Sequence, residues 1–596
     1  MLVSPGPAVY RRTNMYLKRH VVRRGEKRYV YLRLVQSYRN EAGKVRHRVL
    51  TTLGREEELK ASGQLEQLAA AFTRADPPTP GTRREVGPLL LVAHYLDRLG
   101  LRQIVDRAIP QRGRARLTCG EVVCALVANR LASPAPLYDV AGWAEQAAMR
   151  EVFGVPGALL NDDRLGRALD ALAPVAEQVR GAATLAAVDR CGAEAARLHV
   201  DLTTLRFSGA YPDSRLVAKG WGPDRRVARQ VRVLEATNPD GIPLYVRPRP
   251  GSAAELTLIG EALERLVELL PPGLLVCADS ALGYPRSLCH AHRAGVSFIV
   301  PLREDSGFRR RFLEEVGHEG LHPLRYVSRR DRGRPQKDRT RYRGTLRPFE
   351  VQDPETKELH RSRVAYIWSS EEARSVAEGR ERALAKAVER LERVRRGLGG
   401  RHYRTQEQVE AAVARILPPV EGLLDVEVGT REGRPTLSFR RNEAAIAEAG
   451  AADGVYALAT NLPGRISATG VLRTYKDQTL VERRHRDLKG PLRLRPVFLH
   501  TDARIEALIG VVGLALLVFG LIEADLRRAL GPQETLPGLL PEGRAARPTG
   551  RSILAAFQGL GLTYTADGIV LDRLTATQRR ILDALGVAFP WPEQGR

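Results

Sequence analysis

Cysteine is scarce: five residues in a chain of 596. That number cannot staple a small secreted scaffold, and it excludes a disulfide-framed fold. The five, Cys119, Cys124, Cys191, Cys277 and Cys289, include no CxxC pair. Cys289, His290 and His292 cluster, but partners at zinc-ligand spacing are missing, so the cluster reads as a helix with polar contacts. Long apolar runs are missing too. The longest uncharged stretch, Ala507–Ile522, spans 16 residues between Glu506 and Glu523 and is interrupted by Gly510, Gly513 and Gly520. A membrane span needs about 20 apolar residues, so this stretch predicts a buried core helix. The N-terminal residues Met1–Pro7 lack the apolar core of a signal peptide, and the expected compartment is the cytoplasm, with no membrane partner. Lysine is rare, with ten residues, yet Lys+Arg total 94 against 69 Asp+Glu. The net charge of +25 and pI near 10.3 favour polyanionic partners, through release of counterions from nucleic acid. A generally basic enzyme surface is the plainer alternative.

At about 100–200 residues per domain, the length predicts three to five units. Residues 10–48 hold 13 Lys/Arg and two acids, with five tyrosines interleaved. Arg28–Tyr38 alternates as a strand, residues 40–43 signal a turn, and Lys44–Leu50 returns. This basic β-hairpin is either a solvated ribbon or an arm over a phosphate backbone, with Arg33 and Arg46 as its candidate DNA contacts. Residues 74–88 read as a linker, so 1–85 forms an arm with its linker. Residues 86–190 carry helical periodicity and form a DNA-binding or dimerisation domain. From 191 to 310 strands and helices alternate: Leu198–Phe207, Val231–Thr237, Ile242–Arg247, the helix Ala254–Leu270, then Leu274–Ala278, Pro285–Ala294 and Ser297–Pro301. The fold class is α/β, with an antiparallel start and a parallel finish. Residues 311–452 interrupt it with a basic run, Arg325–Arg347 (ten Lys/Arg), and a long charged helix from Glu371 to about Arg396. That run is either a DNA-contact loop or a plain surface loop. Strand Val455–Thr460 resumes the pattern over 453–535, and 536–596 reads as a C-terminal tail.

Three carboxylates stand out by position. Asp201 lies inside an apolar strand, where an acid is costly unless paired or bound to metal. Asp279 ends the run Leu274–Ala278, at the carboxyl edge where α/β sheets place ligands. Glu482 lies on a helix expected from Tyr475 to Lys489, where Tyr475, Glu482 and Lys489 recur every seven residues on one face, with His485 and Arg486 a turn beyond. Taken singly, a strand-end Asp also serves as a turn residue and a helical Glu as a solvated ion-pair partner. His199, Thr203, Thr204 and His485 suggest a nucleophilic triad only until a GxSxG word is sought and not found.

The words around these acids, Asp201-Leu-Thr-Thr-Leu-Arg-Phe, Ala278-Asp279-Ser-Ala-Leu, Asp453–Asn461 and Tyr475–Lys489, resemble bacterial insertion-sequence transposases of the DDE class. They are most similar to the insertion-sequence-four group, whose signature is Tyr-x2-Arg-x3-Glu-x6-Lys. The resemblance covers roughly residues 25–530. It implies a ribonuclease-H-like catalytic domain with a β-rich insertion before the last acid. It implies that Asp201, Asp279 and Glu482 bind two Mg2+ ions, with Mn2+ able to substitute, and that Tyr475 and Lys489 contact DNA ends. It also implies a homodimer in the DNA complex. The signature Arg falls on Gln478, and Arg483, Arg484 or Arg486 are the nearby cations that could replace it. The expected activity is metal-dependent cleavage at transposon ends followed by strand transfer. A nuclease of the same fold that cuts without joining, and a catalytically silent DNA-binding derivative, are the alternatives.

Overall fold

The computed structural model describes residues 15–24, 27–39, 45–61, 80–111, 115–222, 226–270, 272–477, 484, 486–487, 499–531 and 534–594. It forms two compact units, Met1–Thr82 with Tyr564–Gly568, and Arg83–Thr563 with Ile569–Arg596.

The first unit holds a three-stranded antiparallel sheet, β1 (Met15–Arg24), β2 (Lys27–Arg39) and β3 (Val45–Arg55), in that order. This corrects the two-stranded hairpin. Strand β1 pairs along the free edge of β2, from Met15 opposite Gln36 to Arg24 opposite Lys27. The expected turn at 40–43 lies outside the described residues. Leu32 and Val35 are buried, Arg19 reaches Glu56 at 2.6 Å, and the Arg55 guanidinium stacks 4.7 Å over the Tyr29 ring.

The second unit opens with β4 (Arg83–Glu85), so the linker does not extend to residue 88, and Val86 and Leu89 are already core. Helices Leu89–Leu99, Cys119–Ala132, Asp162–Leu172 and Ala176–Cys191 follow. The Cys119 helix starts on a capping box: the Glu121 N–H donates to Thr118 Oγ (3.1 Å) and the Thr118 N–H to the Glu121 carboxylate (2.8 Å). These helices surround the helix Asp502–Leu530. It is the one described helix long and apolar enough to cross a membrane, yet 94% of its apolar window is buried inside the protein. A Cβ added at Gly513 would lie 3.1 Å from Val246, and one at Gly520 3.0 Å from Pro243, so these glycines admit the neighbouring strand.

The sheet beside it starts with β5 (Arg197–Arg206), β6 (Ala218–Trp221), β7 (Val227–Thr237) and β8 (Pro243–Pro250). The helix Glu255–Leu269 leads to β9 (Leu275–Ala278), and the helix Pro285–Arg293 to β10 (Ser297–Pro301). Strands β5, β9 and β10 run parallel, while β7 is antiparallel to β5, β6 and β8. The segment after β10 is not one separate insertion domain. Its first part, β11 (His322–Pro323), β12 (Tyr342–Gln352) and β13 (Leu359–Ser369), extends the same sheet. Its second part, helices Ser370–Arg396 and Gln406–Ala414 with the hairpin β14 (Leu424–Arg431) and β15 (Arg434–Arg441), closes a small core of its own around Leu384, Leu391, Val409 and Leu437. Strand β16 (Val455–Thr460) then inserts between β13 and β10, antiparallel to both. The residues expected to be a C-terminal tail are folded: β17 (Gly561–Thr565) lies between β4 and β18 (Gly568–Leu571), and the helix Ala576–Leu585 follows. The basic run from Arg325 is ordered as two short turns before β12, around the buried Asp331.

Candidate active site

Side chains alternate along β5, so the central sheet has two different faces. Leu198 and Val200, with Val276 and Ala278 of β9, join the main core. His199, Asp201 and Thr203 point the other way, and the register sets His199 beside Cys277. Cys277 packs with Ile299, Leu458 and the apolar side of the Ala468–Lys476 helix, notably Val471 and Leu472. Asp201 therefore lies on the face that this helix covers.

Register brings the acids together. Asp201 pairs with Glu235 on β7. On the other side the last β5–β9 pair is Val200 with Ala278, so the next residues, Asp201 and Asp279, are neighbours across two parallel strands. Adjacent strands lie about 4.8 Å apart, so Glu235, Asp201 and Asp279 form a row about 10 Å long. Asp201 is half-buried, and its Oδ1 accepts the Leu202 N–H at 2.7 Å. Asp279 is exposed, and its Oδ1 accepts the Ala281 N–H at 2.9 Å, which fixes the turn after β9. Glu235, which the sequence reading passed over, is fully buried and accepts the Thr237 hydroxyl at 2.8 Å. Burial pushes its carboxyl up to about 8, against the pull of Thr237 and Arg484 and with a further push from Asp201. The signal was available: Glu235 interrupts the apolar strand Val231–Thr237 just as Asp201 interrupts its own. His199 is also buried, and burial followed by the Arg197 charge pushes it down to about 4, so it is neutral at pH 7.

The third expected acid, Glu482, lies outside the described residues, as do Gln478, Arg483 and Lys489. The described flanks bracket them. The Ala468–Lys476 helix ends with Asp477 as its C-cap, so Tyr475 belongs to that helix and not to a continuous one running to Lys489. Tyr475 is half-buried against the apolar cluster beneath the helix. Asp477 meets Arg197 at 3.4 Å, at the start of β5. Arg484 is completely buried: it donates to the Gly241 carbonyl and pairs with Asp487 at 3.0 Å and Glu523 at 2.9 Å. That burial removes it from the cations able to stand in for the signature Arg, whereas Arg486 is exposed. The His500 ring lies 6.0 Å from that of Tyr211, and Asp502 accepts the Ser214 hydroxyl and the N–H groups of Arg215 and Leu216 (2.8 and 3.0 Å). In the first unit, Arg33 is half-buried on β2 opposite Lys18 and Thr52, and Arg46 sits on β3 opposite Tyr38.

Asp201 and Asp279 offer carboxylate oxygens from one face of a rigid sheet, the donor type that Mg2+ prefers. A second group of possible ligands, Cys289, Asp353 and His360, lies within 4.8 Å. Its acid is already engaged, by Arg293 and by the N–H groups of Glu355 (2.8 Å) and Thr356 (3.2 Å), and His292 bonds Ser362 at 2.8 Å. The cluster ties the helix Pro285–Arg293 to the β12–β13 turn.

Residues 197–518 match the transposase DDE domain family. Residues 17–80 match the N-terminal domain of IS1634 family transposases, a different group from the insertion-sequence-four transposases that the sequence words resemble. Residues 82–178 match a domain of unknown function (DUF4277). No curated protein matches the chain.

Proposed function

The chain belongs to the DDE-domain transposases, its family match covering more than half of the sequence, and from that premise we propose that Asp201, Asp279 and Glu482 are the three acids of its catalytic centre. It is a DNA transposase, an enzyme that cuts insertion-sequence ends and joins them to target DNA. The observation that carries the site assignment is the adjacency of Asp201 and Asp279 on one face of β5 and β9. We read the order β8-β7-β5-β9-β10 as the ribonuclease-H-like core.

Transposases of this class use divalent ions, and here the three acids would hold two Mg2+, with Mn2+ as a substitute. Bound there, the ions supply Lewis-acid polarisation of a phosphoryl oxygen and a water or 3′-hydroxyl of lowered pKa. The chain's own part is positional. The backbone N–H groups of Leu202 and Ala281 orient the two aspartates. Arg484, two residues after Glu482 in sequence, is locked between Gly241 and Glu523.

The finer affiliation with the insertion-sequence-four group rests on Tyr475, Glu482 and Lys489 at the spacing of its signature, with Gln478 as the departure. Tyr475, Arg483, Arg486, Lys489, Arg33 and Arg46 are the proposed DNA contacts of the signature segment and the arm. The working form is a homodimer on DNA, in the cytoplasm at the nucleoid.

The test is Asp201→Ala, Asp279→Ala and Glu482→Ala, assayed for metal-dependent nicking of end-bearing DNA and for strand transfer of pre-cleaved ends. All three variants should lose both reactions and keep DNA binding, because phosphate contacts supply that affinity. Cleavage surviving in any variant removes that residue from the centre. Nicking without transfer by the wild type would leave a nuclease of the same fold.

A further inference from the structure

A cavity of about 740 Å³ opens between the loop that follows β11, the C-terminal ends of the helices Ala468–Lys476 and Asp502–Leu530, and the β7–β8 turn. Among its described lining residues eight are Arg or Lys and two are Asp. Cations in the last turn of a helix offset the helix dipole, which accounts for Arg473, Lys476, Arg527 and Arg528. It does not account for Arg325, Arg329 and Arg332 on the loop, or for Arg547. Arg527 is paired with Glu523, and Arg528 with Asp240 and Asp525, but gathering the remaining cations in one concavity is unfavourable unless a polyanion fills it.

The loop that carries these arginines is held in place. Asp331, buried at the loop's centre, accepts the Ser328 hydroxyl (2.7 Å) and the Thr340 N–H (3.2 Å) and pairs with Arg334 at 3.3 Å. Tyr326 packs edge-to-face on Tyr342 at 5.1 Å, and Arg330 pairs with Glu371. Seven of the eight cations are Arg, whose planar fork matches phosphate oxygens. The cavity is also tied to the catalytic face: Asp477 on its rim pairs with Arg197, four residues before Asp201 on β5. Four residues of strand span about 13 Å. A B-form strand carries one phosphate per 3.4 Å of axis, so that span corresponds to about four phosphates.

We propose that this cleft is a second DNA site, which grips the phosphodiester backbone about four nucleotides from the scissile bond and does not read bases. The proposal rests on the assignment of Asp201 to the catalytic centre for that distance, and on the cleft alone for its ligand.

The test uses the full-length protein in EDTA, with an end-bearing duplex and an arbitrary duplex of equal length as probes. The triple variant Arg325→Gln/Arg332→Gln/Arg473→Gln should reduce the slope of log K against log[salt] by about 3, because each lost phosphate contact removes ~0.9. Affinity should fall by the same factor on both duplexes. Ethylation of phosphates about four positions from the cleavage site should weaken binding of the wild type and leave the triple variant unaffected. Arg401→Gln/Arg404→Gln/Arg415→Gln, which removes three exposed arginines from the small outlying core, is the charge-matched control. An unchanged slope, or a drop equal to the control's, overturns the cleft and leaves the three acids untouched. Nicking by Asp201→Ala would overturn the acids and leave the slope result standing.

Discussion

The guanidinium of Arg484 lies 2.9 Å from the carboxylate of Glu523, and neither side chain has any exposed surface. Glu523 also accepts the Gly550 N–H at 3.0 Å and pairs with Arg527, while Arg484 stacks 5.3 Å from the Phe519 ring. Two ions buried together roughly break even against an apolar pair, but removing one partner strands the other in a low dielectric and costs about 3–5 kcal/mol. Glu523→Gln should therefore lower the unfolding free energy in urea by about that amount, and Arg484→Met/Glu523→Leu should recover most of it. A loss under about 1 kcal/mol for the single variant, the range of exposed pairs, would mean that the pair does not behave as a buried one.

The same pair sets a pH dependence. Burial alone would raise the Glu523 carboxyl, but the charges of Arg484 and Arg527 and the Gly550 N–H outweigh it, and the group is held below its ordinary value of 4.5. An acid depressed in the folded state adds stability above its unfolded pKa and loses it as pH falls through the folded one. The stability gap between wild type and Glu523→Gln should be constant from pH 7 down to about 5 and narrow below 4.5. Urea midpoints at pH 7, 5, 4 and 3 measure it, and a gap that stays constant to pH 3 contradicts the assignment.

Local pattern made much of the central sheet legible. Ser297–Pro301 and Val455–Thr460 are apolar runs bounded by turn residues, and the structure places strands at those limits. Asp201 stood out because an acid in an apolar strand is expensive, and Asp279 because it ends an apolar run at the carboxyl edge of the sheet. Their adjacency was not legible, because it depends on the parallel register of segments some 75 residues apart in sequence. Arg484 was misread because arginine defaults to solvent; its partner, the acid that closes the uncharged run 507–522, was the clue. Strands β12 and β4 were hidden for different reasons. The first begins inside a basic run, at a position where the sheet continues past β16. The second has only three residues, and its partner β17 lies more than 470 residues away in sequence.

Two neighbouring carboxylates repel until a cation joins them. Asp201→Asn or Asp279→Asn should therefore raise the unfolding temperature in EDTA. Mg2+ at 100 times its Kd should stabilise the wild type by about 2.7 kcal/mol and these variants by nearly nothing. Calorimetric scans with and without Mg2+ or Mn2+ read both signs at once. Equal metal-induced shifts in wild type and variants would move the ions away from Asp201 and Asp279.

Gly251 fixes the strands that support Glu235. Its N–H donates to the Leu216 carbonyl at 3.0 Å, and its own carbonyl accepts the side chain of the buried Gln230 at 2.9 Å. A Cβ there would lie 2.0 Å from the Gln230 carbonyl oxygen and 2.6 Å from that of Ala218. Both obstacles are backbone and cannot rotate away, so Gly251→Ala should cost at least the ~1–3 kcal/mol of an overpacked core. Gly260→Ala, on a helix with nothing within 4 Å, should be neutral or stabilising in the same urea titration. Equal stability of the two variants would show that β6 and β8 can separate at low cost.

Residues 550–594 are part of the core and not an appendage. Leu560 accepts the N–H groups of Val86 (2.8 Å) and Gly87 (3.0 Å), which joins this segment to the strand ahead of the first long helix. Phe557, Leu562, Leu571, Ile581 and Leu582 are buried, each with 1% exposure or less. At about 1.5–3 kcal/mol per large apolar side chain, the five contribute on the order of 8–15 kcal/mol, as much as the whole stability of a typical domain. Deleting residues 550–596 also removes the Gly550 N–H from Glu523. The truncated chain should lose its cooperative thermal transition and aggregate, whereas loss of a loose tail would leave the unfolding temperature within a degree or two. Deleting 595–596 alone is the matched control for the end of the chain. Calorimetry and light scattering on the three chains distinguish a folded C-terminal layer from a tail.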